Sequence, residues 1–431
     1  STRPNEPQLL GSDSIAPAAS ICTTPNTAIP RTLLLSNGRY GLMITNSGGG
    51  YSQWGGQELT RWRSDPTCDG MGTFCYIHEV EGDHLWSSTP HPVGGKINGY
   101  SVDFTLDRAV FHRSDDKIHT ETEVIVSPED DVEVRRITLI NRSSRTRRLN
   151  LTSYVELSMA AHNADRQHPA FNKLFIETEA LPEQQALLAH RRPRSENEAP
   201  LYMAHGLMLE QEGGEAPPVP DWQFETDRAR FIGRGRTLAH PMGAVQELGN
   251  SQGFVLDPVF SSRQVLTLEP GQRARVSLVL AAGAEREQVL LLIAKYRDPH
   301  ATERAMDFAW HSAQQQLQIL RIKADEARRF QQLASHLLFP GQLLRAPAER
   351  LEENRKGQAG LWPYAISGDL PLVLITIGAA REISLVRQLL QAHTYWRMHG
   401  FSTDLVILNE EAASYERPLQ ERLEQLIQTH A

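Results

Sequence analysis

Lys117-Ile118-His119-Thr120-Glu121-Thr122-Glu123-Val124-Ile125-Val126 alternates apolar or β-branched residues with polar ones. Successive side chains of an extended strand point to opposite sides, so Ile118, Thr120, Thr122, Val124 and Val126 share one face. A period of two predicts a strand with one face buried. Val132 to Asn141 and Leu149 to Leu157 repeat the pattern. Gln264 to Leu268 and Ala274 to Leu280 flank Glu269-Pro270-Gly271-Gln272, where proline fixes one φ and glycine supplies the positive φ of a type II turn, so a hairpin is predicted there. Strands at short spacing from Arg31 to about Ala282, with no alternating helices, predict a mainly β fold of two large packed antiparallel sheets, with a barrel as the alternative. Arg191 to Asp221, rich in Pro, Glu and Gly around the apolar run Leu201 to Leu209, reads as surface excursions between strands.

After Ala284 the period becomes helical: Met306, Ala309, Ala313, Leu317, Leu320, Ala324, Ala327, Ala334 and Leu337 recur every three or four residues. One or two long helices are expected over Ala301 to Leu338, stopped by Pro340-Gly341, with further helices at Ile383 to Met398 and near Arg417 to Gln428. Leu370 to Gly378 is an apolar run that periodicity leaves open between helix and strand. The expected organisation is residues 1–30 as a linker or arm, 31–283 as the sandwich, and 284–431 as a helical linker and partial helical domain.

The 431 residues carry a formal charge of −8 and interleave acidic with basic side chains, so no basic stripe exists to neutralise phosphates and nucleic acid is not an expected partner. No window approaches the ~18 uninterrupted apolar residues of a membrane span, so this chain itself is expected to be soluble. Cys22, Cys68 and Cys75 form neither a C-x-x-C pair nor an even set, which fits a reducing compartment. No metal and no cofactor are expected, since no Cys/His cluster has ligand spacing and neither phosphate-binding glycine motif occurs. Ser1 to Pro30 holds five prolines and no positive-then-apolar signal pattern, and a chain that opens in a linker is expected to be a fragment.

Three windows could carry chemistry. Gly48 to Trp86 concentrates Tyr51, Trp54, Trp62, Phe74, Tyr76 and Trp86 beside Arg61, Arg63 and Asp65. Sugars offer flat C–H faces to aromatic rings and hydroxyls to fixed donors and acceptors, so this mixture suits carbohydrate; the bland alternative is that the rings fill a large core. His162 to Phe171, with Asp165 and His168, leads into Phe175 to Glu179. There Glu177 and Glu179 would project from one face of a strand as a carboxylate pair, or simply as a solvated face. Gly360 to Pro371 contains Ser367-Gly368-Asp369: either a loop that sets the Asp369 carboxylate beside Trp362 and Tyr364, or a helix cap, and the cap is preferred.

Seven stretches carry a resemblance: Thr45-Asn46-Ser47-Gly48-Gly49-Gly50-Tyr51-Ser52, Thr60-Arg61-Trp62-Arg63, Asp165-Arg166-Gln167-His168-Pro169-Ala170-Phe171, Phe231-Ile232-Gly233-Arg234-Gly235-Arg236, Leu256-Asp257-Pro258-Val259-Phe260, Ile366-Ser367-Gly368-Asp369-Leu370-Pro371 and Asp404-Leu405-Val406-Ile407-Leu408-Asn409. In this order they resemble the phosphorylase-like region of bacterial cyclic β-1,2-glucan synthases, related to the cellobiose and chitobiose phosphorylases of glycoside hydrolase family 94. The resemblance implies a β-supersandwich of galactose-mutarotase type followed by a smaller helical region. In the phosphorylases linker helices and an (α/α)6 barrel with the acid and phosphate site come next; the stretch after Ala282 is too short for that barrel.

No catalytic residue is therefore carried over, and Asp369, Glu177 and Glu179 stay weak candidates. The expectation is a noncatalytic accessory region binding a β-glucan oligosaccharide through Tyr51, Trp54, Arg61, Trp62, Arg63 and Asp65, supported by Asp165 and His168. The remaining domains of a parent polypeptide would be its partners. By resemblance it would lie on the cytoplasmic side of a bacterial inner membrane as part of a larger membrane protein. The rivals are an enzyme cleaving or transferring β-glucosides, and a structural assembly domain with its aromatics enclosed or used in a homodimer.

Overall fold

The computed structural model describes residues 20–95, 97–195, 198–210, 222–341, 344–411 and 418–430. Two nine-stranded antiparallel sheets dominate it. The first runs, edge to edge, β1 (Ser20–Cys22), β8 (Asn98–Phe104), β9 (Ala109–Asp115), β10 (Ile118–Val126), β11 (Val132–Asn141), β18 (Arg273–Gly283), β15 (Leu201–Glu210), β14 (Ala186–Arg191) and β13 (Ile176–Leu181). The second runs β16 (Phe224–Asp227), β17 (Pro258–Leu268), β12 (Arg147–Ala160), β5 (Gln57–Thr60), β4 (Gly50–Trp54), β3 (Tyr40–Thr45) and β2 (Thr32–Ser36), with β6 (Thr73–Glu79) on β12 and β7 (His84–Ser87) on β6. The mainly β supersandwich is as expected.

The alternation of Lys117 to Val126 works as predicted. Ile118, Val124 and Val126 enter the core between the sheets, joined by Leu149, Leu151 and Leu157 of β12 and Leu278 and Leu280 of β18. Unlike a simple sandwich, both outer faces are also covered. Val132 and Val134 of β11 and Val279 and Ala281 of β18 pack under the helices α5 (Arg286–Lys295) and α6 (Pro299–Leu320). Phe74 and Tyr76 of β6 and Tyr154 of β12 pack under α3 (Arg228–Ile232) and α4 (Met242–Val245).

Three expectations need correction. Glu269–Gln272 is a turn, with Gly271 at φ +81° and the Gln272 N–H donating to the Glu269 carbonyl at 3.0 Å, but it is not a hairpin. β17 belongs to the second sheet and β18 to the first, so the chain crosses from sheet to sheet; turn chemistry fixes a reversal, not whether its arms pair. Leu201–Glu210 is no surface excursion but a strand paired on both sides, by β14 and β18. Within the expected linker, Ser20–Cys22 is an edge strand on β8; residues 1–19 of that linker lie outside the described ones.

The region after the sandwich is not wholly helical. α7 (Ala324–Leu338), α8 (Ala348–Glu353), α9 (Ile383–Met398) and α10 (Pro418–His430) accompany a parallel pair, β19 (Leu372–Ile377) and β20 (Asp404–Asn409). Leu370 to Gly378 thus resolves as a strand. No described helix is long and apolar enough to cross a membrane.

Candidate functional site

The Gly48 to Trp86 window is dispersed, and alternation is the reason. Past β5 the chain stays extended, so Arg61 and Arg63 point one way and Trp62 the other. Trp62 (6% exposed) and Tyr51 (8%) sit in a seam between the second sheet and the helices, with Leu34, Met43, Phe330, Leu338, Phe339 and Trp396. Phe339 meets Trp62 edge-on within this seam, and at 6% and 8% exposure Trp62 and Tyr51 are core residues that offer a sugar little ring surface. Their burial beneath the chain's own helices leaves neither ring available to a second copy of the chain. Trp86 lies between the sheets, and Phe74 and Tyr76 lie under α3 and α4. Trp54 is half-buried, its Nε1 donating to Asp131 at 2.7 Å while the Arg39 guanidinium lies 5.4 Å above its ring.

The glycines of this window answer to close approach as well as to turning. A Cβ on Gly48 would run into Thr89, one on Gly49 into the Asp69 carbonyl oxygen, and one on Gly50 into that of Met43.

What does assemble is a charged cradle. Asp165, in the six-residue α1 (His162–Gln167), is fully buried. It accepts from Arg61 Nε and Nη2 at 3.1 Å each, from Arg63, and from Asn172 Nδ2 at 3.1 Å in α2 (Pro169–Lys173). Arg61 also donates to Glu156 at 3.0 Å, and the Tyr154 hydroxyl donates to the same carboxylate at 3.0 Å. Arg228 reaches Glu156 at 3.2 Å, and Lys173 reaches Asp257 at 2.6 Å. Four cations therefore face three carboxylates.

Burial works to raise the Asp165 pKa, but the hydrogen bonds and charges of Arg61 and Arg63 outweigh it and hold the carboxyl below its ordinary value. Burial likewise works against the Arg61 charge, and Asp165 and Glu156 reverse the balance, raising its pKa. Arg61 and Asp165 are thus held as an ion pair. The rim is open: the side chains of Arg63, Arg228 and Asp257 are 28%, 34% and 25% exposed. A rigid, charged, half-wet surface of this kind offers donors and acceptors to a polar neutral ligand.

Of the expected contacts, Arg61, Arg63 and Asp165 come together. His168 is exposed at the link between α1 and α2, and Asp65 is exposed and caps its own turn, accepting from the Thr67 N–H at 2.8 Å. Glu156, Lys173, Arg228 and Asp257 were not anticipated. A glutamate within the apolar stretch Tyr154-Val155-Glu156-Leu157 of β12, and Asp257 within a motif that carries the resemblance, were the available signals.

Among the catalytic candidates, Glu177 and Glu179 do share a face of β13, beside a 280 Å³ cavity lined by Thr178, His190, Gln252 and Gly253. Glu179 is held by Arg286 at 2.7 Å, Glu177 lies 3.7 Å from His190, and among the described residues no Phe, Tyr or Trp lines the cavity. Asp369 caps no helix; it lies in the loop before β19, accepting from Gln358 Nε2 at 3.0 Å.

Fold and site together define a two-sheet β-supersandwich with a polar cradle on an outer face and a helical extension. The chain belongs to the glycosyl hydrolase 94 supersandwich family, whose sequence pattern matches residues 17–299. It is 36% identical over 428 residues, 98% of its length, to the cyclic beta-(1,2)-glucan synthase NdvB of Rhizobium meliloti, of which it spans 15%. It is 24% identical over 271 residues (61% of this chain, 32% of the relative) to the N,N'-diacetylchitobiose phosphorylase of Vibrio proteolyticus. Among solved structures, a putative kojibiose phosphorylase from the human microbiome aligns at a TM-score of 0.39 and 10% identity, over 69% of this chain and 39% of that one.

Proposed function

We propose that this chain is a noncatalytic accessory region of a cyclic β-1,2-glucan synthase, which holds or positions β-glucan for parts of the polypeptide outside it. The observation that carries this reading is the cradle: Arg63, Lys173, Arg228 and Asp257 form a half-open polar rim over an ion-paired floor. Sugar hydroxyls are met by fixed donors and acceptors of this sort, and the pinned floor leaves little ordering to be done on binding. Similarity over 98% of this chain, though 15% of the relative, to a cyclic beta-(1,2)-glucan synthase supports glucan as the substrate class. Cleavage is not part of the proposal, because Glu177 and Glu179 lie beside a cavity that no described Phe, Tyr or Trp lines and one of them is tied to Arg286.

Titration calorimetry of the chain with β-1,2-linked gluco-oligosaccharides tests the reading. Saturable binding is expected, with no product released on incubation with or without phosphate. No binding at millimolar ligand rejects it, and product formation replaces it with the enzyme reading. The structural reading draws on the enclosed Tyr51 and Trp62, which make the aromatic window a seam between sandwich and helices.

A further inference from the structure

The cradle leaves the third sequence window, Gly360 to Pro371, unused. It folds as two short 3-10 turns, Gln358–Gly360 and Trp362–Tyr364, followed by Ala365 and Gly368 at φ +58° and +77°. The loop is cross-tied by its own hydrogen bonds. Gln358 Nε2 donates to the Ser367 carbonyl at 2.9 Å and to Asp369 Oδ1 at 3.0 Å, Trp362 Nε1 donates to the same carbonyl at 3.3 Å, and the Asp369 N–H donates to Ser367 Oγ at 3.2 Å.

On this tied frame Trp362 is 63% exposed and Tyr364 73%, whereas the next most exposed indole, Trp310, shows 38%. Exposure of a tryptophan and a tyrosine on one braced turn leaves large apolar surface in water, and such surface marks binding sites. Asp369 keeps Oδ2 without a protein donor among the described residues. An apolar protein contact depletes aspartate at its centre, while a pyranose wants a ring for its C–H face and a carboxylate for its hydroxyls.

We infer that Gly360 to Pro371 is a carbohydrate-recognition loop: Trp362 and Tyr364 stack on pyranose rings of a β-linked gluco-oligosaccharide, and Asp369 Oδ2 accepts from its hydroxyls. This rests on the glucan-binding reading above and adds to the cradle a second contact, in the C-terminal region. Asp369, a weak catalytic candidate from sequence, is here a ligand-orienting acceptor.

The experiment titrates the chain with β-1,2-linked gluco-oligosaccharides by calorimetry and by tryptophan fluorescence, for the wild type and for Trp362→Ala, Tyr364→Ala, Asp369→Asn, Arg63→Ala and Leu291→Ala. Each ring variant should weaken binding roughly 3- to 10-fold, the size expected for one aromatic stacking contact. Trp362→Ala should also abolish the ligand-induced fluorescence change. Leu291, 70% exposed on α5, is the control and should bind like the wild type. If Trp362→Ala and Tyr364→Ala bind normally while Arg63→Ala does not, the loop inference falls and the cradle reading stands. If the wild type does not bind, both fall. If the ring variants instead abolish self-association of the chain and leave sugar binding intact, the loop is a protein contact and the inference is overturned.

Discussion

Trp62 and Phe339 meet edge to face, ring centroids 5.7 Å apart at 88°, and this contact joins the sandwich to the end of α7. Two further ties fix the same seam. Gln331 of α7 exchanges hydrogen bonds with the Leu34 backbone at 2.9 Å in each direction, and the Thr32 N–H donates to Ser335 Oγ at 3.0 Å. Helix and sheet therefore behave as one packed body here. Trp62→Ala should cost about 3–5 kcal/mol, as large-to-small changes in a core do. Urea unfolding measures it, and the double variant with Phe339→Ala should cost less than the two single changes added, since they share one contact. A loss below about 1 kcal/mol would contradict the packing.

Which parts of this were legible follows from how many faces each strand buries. β10 buries one face at Ile118, Val124 and Val126 and the other only at Ile125, so its alternation could be read directly. β6 buries every residue from Thr73 to Glu79, because α3 and α4 cover its second face, and a strand buried on both sides loses its alternation. Leu201–Glu210 is hidden in sequence for the same reason: α5 packs behind it, so it looks like an apolar run in polar surroundings. The aromatic window could be recognised as a cluster in sequence but not as four places in space. The cradle was half visible, since Arg61, Arg63 and Asp165 stand in motifs, whereas Glu156 and Arg228 reach it only through sheet pairing and α3.

Asp165→Asn should be among the most damaging substitutions in the cradle. The amide keeps the shape but leaves the buried Arg61 charge short of a partner, and breaking a buried pair on one side costs about 3–5 kcal/mol. The same carboxyl makes the fold acid-sensitive. Its folded pKa is lowered, so its contribution is full above the ordinary carboxylate range and is lost as pH falls through and below 3.8. Chemical denaturation of both proteins from neutral pH down to strongly acid conditions tests this: the variant's profile should be the flatter.

Two histidines add a slope at milder pH. His205 is buried between the sheets, its Nε2 2.7 Å from Ser153 Oγ and its Nδ1 3.1 Å from the Val279 carbonyl, and burial pushes its pKa from 6.5 down to about 4. Burial lowers His399 to about 4 as well. Below pH 6.5 the unfolded chain takes up protons that the folded one refuses, so stability declines as pH falls from 6.5 to about 4 and then levels for these groups. Each histidine contributes about 1.4 kcal/mol per pH unit at most. Denaturation midpoints should fall over this window, and His205→Gln should reduce the slope.

Gly49→Ala tests whether the glycine run is a spacing device. The added methyl would meet the Asp69 carbonyl oxygen well inside van der Waals contact, and backbone cannot yield as a side-chain tip can. Overpacking of this type costs about 1–3 kcal/mol or more. Gly55→Ala supplies the contrast: its Cβ would find open space, so only the strain of φ +55° is paid. Thermal unfolding should rank Gly49→Ala as the less stable of the two.

The parallel pair β19–β20 offers a test of sidedness. Ile375 and Ile377 pack with Ile407 against Val386 of α9 and Leu419 and Leu423 of α10, while Leu374 and Leu408, on the other face, are 57% and 46% exposed. Register places Leu374 opposite Val406 and Thr376 opposite Leu408, so the exposed residues form one continuous stripe. Burial, not hydrophobicity, sets the cost of a polar substitution, because only a buried side chain loses transfer energy and leaves a cavity. Leu374→Ser and Leu408→Ser should each change stability by no more than about 0.5 kcal/mol, whereas Ile377→Ser should cost about 2–5 kcal/mol. Equal losses on both faces, measured by urea denaturation of the 431-residue chain, would mean that something in solution already covers the Leu374 stripe.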